Sequence, residues 1–347
     1  MLDRTQNDVM KNWPKEWDNP VVSIRCLAYN HEPYIRKALD GFIMQETDFP
    51  FEIIVHDDAS TDKTAEIIRE YEARFPKIIK PIYEIENQYS KRIGSLRRIV
   101  NKACSGKYIA YCEGDDYWCN PHKLQKQYEA METHPSCSLC VHTVQCVSNE
   151  GMYINRQHPS KNLFKTNLIE QDEFAQTLIA DHCYPFQTSS YFLRKEILEK
   201  NEKFFQESPS NGDEKILRAC LNDGNVFFIR LTMSCYRIQS IGSWNSRIRN
   251  NKELRLKGYS DMIKMEEYFD AYSHYKFHKY IEISIKKIQL SIFIVKRKFK
   301  DLFLPGNRKF TKLFFPKKKV LAYYICSKMP CFLLNILFTI RSHIKFF

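Results

Sequence analysis

The stretch Tyr108–Trp118, YIAYCEGDDYW, runs from an apolar, strand-like segment straight into three carboxylates, Glu113, Asp115 and Asp116. Acids this close repel one another, and the end of a buried strand is a poor place for uncompensated charge. The pattern therefore calls for a positive partner. Mg²⁺ and Mn²⁺ fit, because hard divalent cations prefer oxygen ligands. Mg²⁺ typically takes one or two from carboxylates and the rest from water and substrate phosphates. Taken alone, the same residues read as a turn whose acids face water and cap the helix begun by Pro121 and continued by Leu124, Tyr128 and Met131. A second acidic pair at a neighbouring strand end, Asp57 and Asp58, favours the metal–diphosphate reading.

Working outward, Pro20–Asn30 (PVVSIRCLAYN) and Phe51–Asp58 (FEIIVHDD) read as strands, and between them Ile35, Ala38, Leu39 and Phe42 recur at helical spacing after Pro33. A second helix follows Asp57–Asp62, with Asp62 as its expected N-cap and Ile67, Ile68, Tyr71 and Phe75 on one face. A strand at Pro81–Ile85, a helix around Arg97–Ala103 and a strand at Lys107–Cys112 come next. This β-α-β-α-β-α-β order predicts an α/β fold, an open and mostly parallel sheet flanked by helices. Such sheets bind ligands beyond the carboxyl ends of their strands. Tyr29 and Asn30, Asp57 and Asp58, and the Glu113–Asp116 group occupy those ends and are expected to share one crevice.

With 347 residues and 44% hydrophobic content, the chain can bury a substantial core and is not a disordered protein. Its net charge of +12 is unevenly placed, since Lys276–Phe347 holds 17 Lys and Arg against only Glu282 and Asp301. The rest of the chain is therefore slightly acidic, which argues against a general polyanion binder and against nucleic acid as a partner. Residues 1–20 lack the apolar run of a signal peptide, so a cytoplasmic location is expected. Twelve cysteines scattered through apolar segments suit buried thiols in a reducing compartment. Cys137, Cys140, His142 and Cys146 could in principle bind zinc, but they lie along one strand-like run, whose alternating side chains cannot converge without a turn. Core thiols are the expectation.

In this order and spacing, Val22–Leu39 (VSIRCLAYNHEPYIRKAL), Glu52–Thr64 (EIIVHDDASTDKT) and Gly106–Trp118 (GKYIAYCEGDDYW) resemble the nucleotide-sugar domain of family 2 glycosyltransferases, which have the Rossmann-like GT-A fold. Asn211–Gly224 (NGDEKILRACLNDG) and Tyr236–Arg247 (YRIQSIGSWNSR) resemble that family's acceptor-side segments. The likeness covers about Val21 to Arg247. It implies that Tyr29 and Asp57 contact the nucleotide base, with Asn30 in the same crevice, and that Asp58 supports that pocket. It also implies that Asp115, with Asp116 beside it, holds Mg²⁺ or Mn²⁺. Glu113 stands where the family's DxD motif begins with aspartate. Asp213 matches the position of the catalytic base, with Glu214 as the adjacent fallback; without the likeness, Asp213 reads equally well as an N-terminal helix cap. Arg237, Gln239, Ser243 and Trp244 are expected in a loop over the site, where many relatives have histidine in place of Gln239. Trp244 would pack over sugar or acceptor, or serve as ordinary lid packing. The implied activity is inverting, metal-dependent transfer from a nucleoside-diphosphate sugar, a UDP-sugar foremost, to a saccharide or lipid-linked saccharide in surface polysaccharide synthesis.

Ile281, Ile285, Ile288, Ile292 and Val295 form a narrow helical stripe, followed by the basic run Lys296–Lys300. Residues 320–340 are about long enough to span a bilayer but are interrupted by Lys328, Pro330 and Asn335. We read this C-terminal, basic and apolar helical tail as lying on the inner face of the cell membrane; the alternative is docking onto the catalytic domain. The expected organisation is an N-terminal extension at 1–20, a GT-A domain at 21–250 with its donor half at about 21–120 and acceptor half at about 121–250, and the tail at 251–347. Two other classes are alternatives. A nucleotidyltransferase would usually need a Gly-rich loop after the first strand, which Leu27–Tyr34 lacks. A non-enzymatic nucleic-acid binder would use the basic tail.

Overall fold

Among the described residues, ten segments form the strands of one sheet: β1 (Val22–Ala28), β2 (Phe51–Asp57), β3 (Ile79–Tyr83), β4 (Tyr108–Tyr111), β5 (Tyr117–Trp118), β6 (Cys137–Val147), β7 (Tyr153–His158), β8 (Leu168–Ile169), β9 (Phe192–Arg194) and β10 (Asn225–Arg237). The structure is a computed structural model, and it describes residues 3–91, 95–209, 212–238 and 251–330. The chain divides into two compact units, residues 1–243 and 244–347.

In the first unit the strand order is β3-β2-β1-β4-β9-β6-β10-β5, with β7 on β6 and β8 on β10. Pairing is parallel through β3-β2-β1-β4 and between β6 and β10, but β9 runs antiparallel to both β4 and β6, and β5, β7 and β8 are antiparallel to their neighbours. The parallel pattern expected from the alternating helices thus belongs to the first half. β6 and β7 are joined by a short connection, which favours antiparallel pairing, whereas helices precede β9 and β10. Strand order reverses between β1 and β4, creating the crevice where open α/β sheets hold ligands.

The helices lay their apolar faces on this sheet. In α2 (Ile35–Ile43), Ile35, Ala38, Leu39 and Phe42 are buried. Gly41 lets this helix sit flush against β5, since a Cβ there would lie 2.8 Å from the Trp118 carbonyl oxygen and 2.9 Å from its nitrogen. The helix α3 (Thr64–Arg74) begins two residues after the expected cap, with Lys63 in the cap position. Asp62 still serves this turn: one oxygen accepts from Thr64 N at 2.9 Å, while the other reaches back to Glu32 N at 3.0 Å. Residues 1–20 are more than an extension. They hold α1 (Gln6–Met10), and Val9 and Trp13 join the main core, the indole donating to Thr47 Oγ1 at 3.0 Å. Cys137, Cys140, His142 and Cys146 are all buried along β6, and no three His, Cys, Asp or Glu side chains among the described residues are grouped to hold a metal.

Lys123, the first residue of the helix Lys123–Thr133, carries a buried amine, with Nζ 2.6 Å from Gln127 Oε1 and 3.9 Å from the Trp118 ring centre. Burial lowers its pKa to about 7, well below the ordinary lysine value. Between that value and about 10 the unfolded chain therefore holds a proton that the folded chain has released, so this group makes stability rise with pH across that window. Lys123→Met should flatten the rise, as read from urea midpoints between pH 7 and pH 10. An unchanged slope in the variant would mean that Lys123 stays charged in the fold.

The second unit contains the helices Lys252–Tyr272, His278–Val295, Pro305–Phe314 and Lys317–Lys328. The first two are joined by Ser284 Oγ donating to Glu266 Oε1 at 2.7 Å and by a 2.6 Å contact between His278 Nδ1 and Asp270 Oδ2. Of the expected stripe, Ile281 and Ile288 are buried, and Ile285, Ile292 and Val295 are half-buried. The stripe is therefore largely packing surface rather than a free membrane face. The exposed apolar residues come later, with Leu313 at 70%, Leu321 at 61% and Ile325 at 54% exposure, beside Lys317, Lys318 and Lys319. No helix among the described residues is long and apolar enough to cross a membrane.

Candidate active site

Register places the three polar clusters side by side. Ala28 pairs with Asp57 at the ends of β1 and β2, so Tyr29 and Asn30 leave one strand level with Asp58 leaving the next. From β4 the chain turns under β1, with Gly114 N donating to Leu27 O at 2.8 Å. Glycine lets the turn pass close to its neighbours: a Cβ on Gly114 would lie 2.8 Å from His31 Nδ1 and 3.0 Å from Ile35 Cδ1.

The residues around this crevice divide into those that build it and those that remain available. Asn30 is a builder. It takes a left-handed backbone, and its side-chain oxygen accepts from Thr61 N at 2.8 Å, tying the β1 loop to the β2 loop. Asp58 is buried with both oxygens occupied, by Gln88 N at 2.6 Å and Tyr89 N at 3.0 Å, so it fixes the segment after β3 as a wall. Asp116 is engaged through one oxygen of its buried carboxylate, which accepts from Arg237 N at 2.9 Å. Burial first, then the charge of Asp115, pushes its pKa well above the ordinary carboxylate range. The available groups are the exposed Tyr29, the buried Asp57 and the half-buried Asp115. Asp57 Oδ1 is buried without a hydrogen-bond partner, and the half-buried Asp115 carboxylate takes no hydrogen bond among the described residues.

Glu113, at the first position of the acidic turn, points back into the sheet. One oxygen accepts from Leu27 N at 3.2 Å, and the other lies 3.7 Å from Arg25 Nη1. Burial, aided by the charges of Asp213 and Asp115 and opposed by Arg25, raises its pKa to about 7. Asp213 is therefore close enough to act on the acidic turn electrostatically, although it comes from a helix, Asp213–Asp223, about a hundred residues later. Asp213 is exposed and accepts from Thr188 Oγ1 at 2.8 Å, while Glu214 is paired with the buried Arg218 at 3.0 Å. Gln239, Ser243 and Trp244 lie outside the described residues.

Two residues have a larger part than the sequence indicated. Arg237 is not in a loop; it ends β10, is buried, and clamps the acidic turn. Besides its N–H on Asp116, its guanidinium donates to Asp115 O and Asn149 O, both at 2.8 Å, and lies 4.7 Å from the Tyr34 ring centre. His31 lines the crevice floor. Burial lowers its pKa, opposed by the charges of Asp115, Asp62 and Asp57. Its place next to Gly114 gave no signal in sequence spacing.

A sequence profile described as glycosyl transferase family 2 matches residues 23–200. The chain belongs to glycosyl transferase family 2. Among family relatives, a protein of Mycobacterium tuberculosis is 33% identical over 235 residues, covering 67% of this chain and 63% of its own length, so the chain spans less than two thirds of that relative. Chondroitin synthase of Escherichia coli is 26% identical over 174 residues, 50% of this chain and 24% of the synthase. The solved structure of S. aureus TarS in complex with UDP-GlcNAc superposes with a TM-score of 0.55 at 18% identity, covering 81% of this chain and 74% of TarS. This family 2 chain therefore shares its α/β GT-A fold with TarS.

Proposed function

We propose that this protein is an inverting, divalent-cation-dependent glycosyltransferase that moves a sugar from a nucleoside-diphosphate donor, a UDP-sugar foremost, to a saccharide or lipid-linked saccharide in surface polysaccharide assembly. The observation that carries the reading is that two carboxylates act on Glu113 from different parts of the chain: Asp115, which takes no hydrogen bond among the described residues, and the exposed Asp213 on the acceptor side. The UDP-GlcNAc held by TarS and the polysaccharide named in chondroitin synthase agree with the donor and product classes.

The donor set fits Mg²⁺ or Mn²⁺ held mainly by diphosphate and water. Among the described residues the Asp115 carboxylate takes no hydrogen bond and no three potential ligands are grouped to hold a metal, so the protein would supply few ligands rather than a closed cage. A bound cation would neutralise the diphosphate as it leaves. The chain's own residues do the rest. Tyr29 and Asp57 border the base pocket, and Asp58 and Asn30 hold its walls in place. Asp213 takes the proton of the acceptor hydroxyl as that oxygen bonds to the anomeric carbon and the bond from this carbon to the diphosphate oxygen breaks. A single displacement of this kind inverts the anomeric configuration. Incubation with UDP-sugars, Mn²⁺ and saccharide acceptors should give a glycoside of inverted configuration by NMR. A product of retained configuration would exclude the single displacement.

The second unit supplies the membrane part of the reading. Lys317, Lys318 and Lys319 adjoin the exposed Leu321 and Ile325, a pairing of basic and apolar surface that suits anionic lipid headgroups. At about 1 kcal/mol per basic residue near such a surface, replacing all three lysines with Glu should weaken sedimentation with anionic vesicles by about 10²-fold or more. Equal sedimentation of the variant and the unmodified protein would remove this surface from the account.

A further inference from the structure

The acidic turn and Asp213 are joined by a buried bridge. Trp118, three residues beyond Asp115, donates its indole N–H to Ser189 O at 3.1 Å. Gln127 Nε2 donates to Ser190 O at 2.9 Å, and the Ser189 and Ser234 hydroxyls lie 2.9 Å apart. Ser189 and Ser190 are fully buried, so the short 3₁₀ turn Thr188–Ser190 is gripped from three directions. Thr188 is the residue of this turn that reaches the crevice, and its hydroxyl donates to Asp213 Oδ2 at 2.8 Å. No other hydrogen bond to Asp213 occurs among the described residues, which leaves Oδ1 open.

We propose that Thr188 is a positioning residue for the transfer reaction: its hydroxyl occupies one oxygen of Asp213 and aims the other at the acceptor hydroxyl, with its own place fixed by the Trp118–Ser189 link to the acidic turn. The proposal rests on the reading of Asp213 as the base. An exposed carboxylate at a helix start rotates freely about χ1 and χ2, and a single fixed donor removes most of that freedom. The proton taken from the acceptor goes to Oδ1, since Oδ2 already accepts from Thr188. The Thr188 hydroxyl donates to Asp213 and not to a residue assigned to donor binding, so its removal affects alignment for chemistry and not donor binding.

The test compares Thr188→Val, Thr188→Ser, Asp213→Asn and the Thr188→Val/Asp213→Asn pair in the full chain, reading kcat and donor KM from nucleoside-diphosphate release with UDP-sugars and Mn²⁺. Thr188→Val is nearly isosteric and should lower kcat by about 10-fold with donor KM unchanged, because only the transition-state geometry suffers. Thr188→Ser keeps the hydroxyl and should stay within about 3-fold of the unmodified enzyme. In the double variant the valine should add nothing to the loss caused by Asp213→Asn, since residues acting through one group are not additive. Thermal melting of each variant separates loss of alignment from loss of fold. If Thr188→Val turns over normally while Asp213→Asn is inactive, the positioning role falls and the base reading stands. If Asp213→Asn itself turns over normally, the base reading falls with it. A serine variant as slow as the valine one would also overturn the proposal.

Discussion

Asp213→Asn is expected to lower turnover by about 10²-fold or more while donor affinity stays close to that of the unmodified protein. The substitution is mild structurally. The amide oxygen of Asn can still accept from Thr188 Oγ1, so the side chain keeps its place, and the helix start loses only a favourable charge on its dipole, worth about 0.3–1 kcal/mol at an exposed site. What disappears is the basicity that an acceptor hydroxyl needs at the moment its oxygen bonds to the anomeric carbon. Glu214 is badly placed to take over, being held by the guanidinium of Arg218. Turnover by stopped assay and affinity by calorimetry, on the same preparation, check both halves of the expectation. Normal turnover by this variant would return the residue to the role of a simple helix cap.

Asp115→Asn should fail at the earlier step, nearly abolishing Mn²⁺-dependent donor binding with little effect on the fold. The reason is local. Arg237 holds the Asp115 backbone carbonyl, not its side chain, so the turn remains clamped when the carboxylate becomes an amide. The crevice then loses the one carboxylate of the acidic turn that is committed neither to the sheet, as Glu113 is, nor to the β10 backbone, as Asp116 is. Isothermal titration of a UDP-sugar into the variant, with and without Mn²⁺, reads this directly. Donor binding with unchanged affinity and unchanged metal dependence would remove Asp115 from the cation site.

The donor half of the fold was legible because its signals are short-range. Alternating apolar residues announce β1 and β2, helical spacing announces α2 and α3, and acids at consecutive strand ends announce the crevice. The division of labour among those acids was not legible. Nothing near Asp116 in sequence reveals that one of its oxygens accepts from the backbone of Arg237, 121 residues away. Asp58 similarly depends on Gln88 and Tyr89, and Asn30 on the Thr61 backbone. The Ile281 stripe shows the opposite limit. Its period predicted a helix, and the helix is there, but period alone cannot distinguish a lipid-facing stripe from one that packs within protein. Thr188 carries no motif at all, and its relation to Asp213 follows only from the folding of a 3₁₀ turn against Trp118 and Gln127.

The central claim is that one crevice both binds a metal–diphosphate donor and carries the base that completes transfer. Its most direct test is nucleoside-diphosphate release from a panel of UDP-, GDP- and dTDP-sugars, measured with Mn²⁺ and with excess EDTA for the unmodified protein and Asp213→Asn side by side. The account predicts release from at least one donor that stops in EDTA and falls by about 10²-fold or more in the variant. Release that continues equally in EDTA and in Asp213→Asn would contradict it.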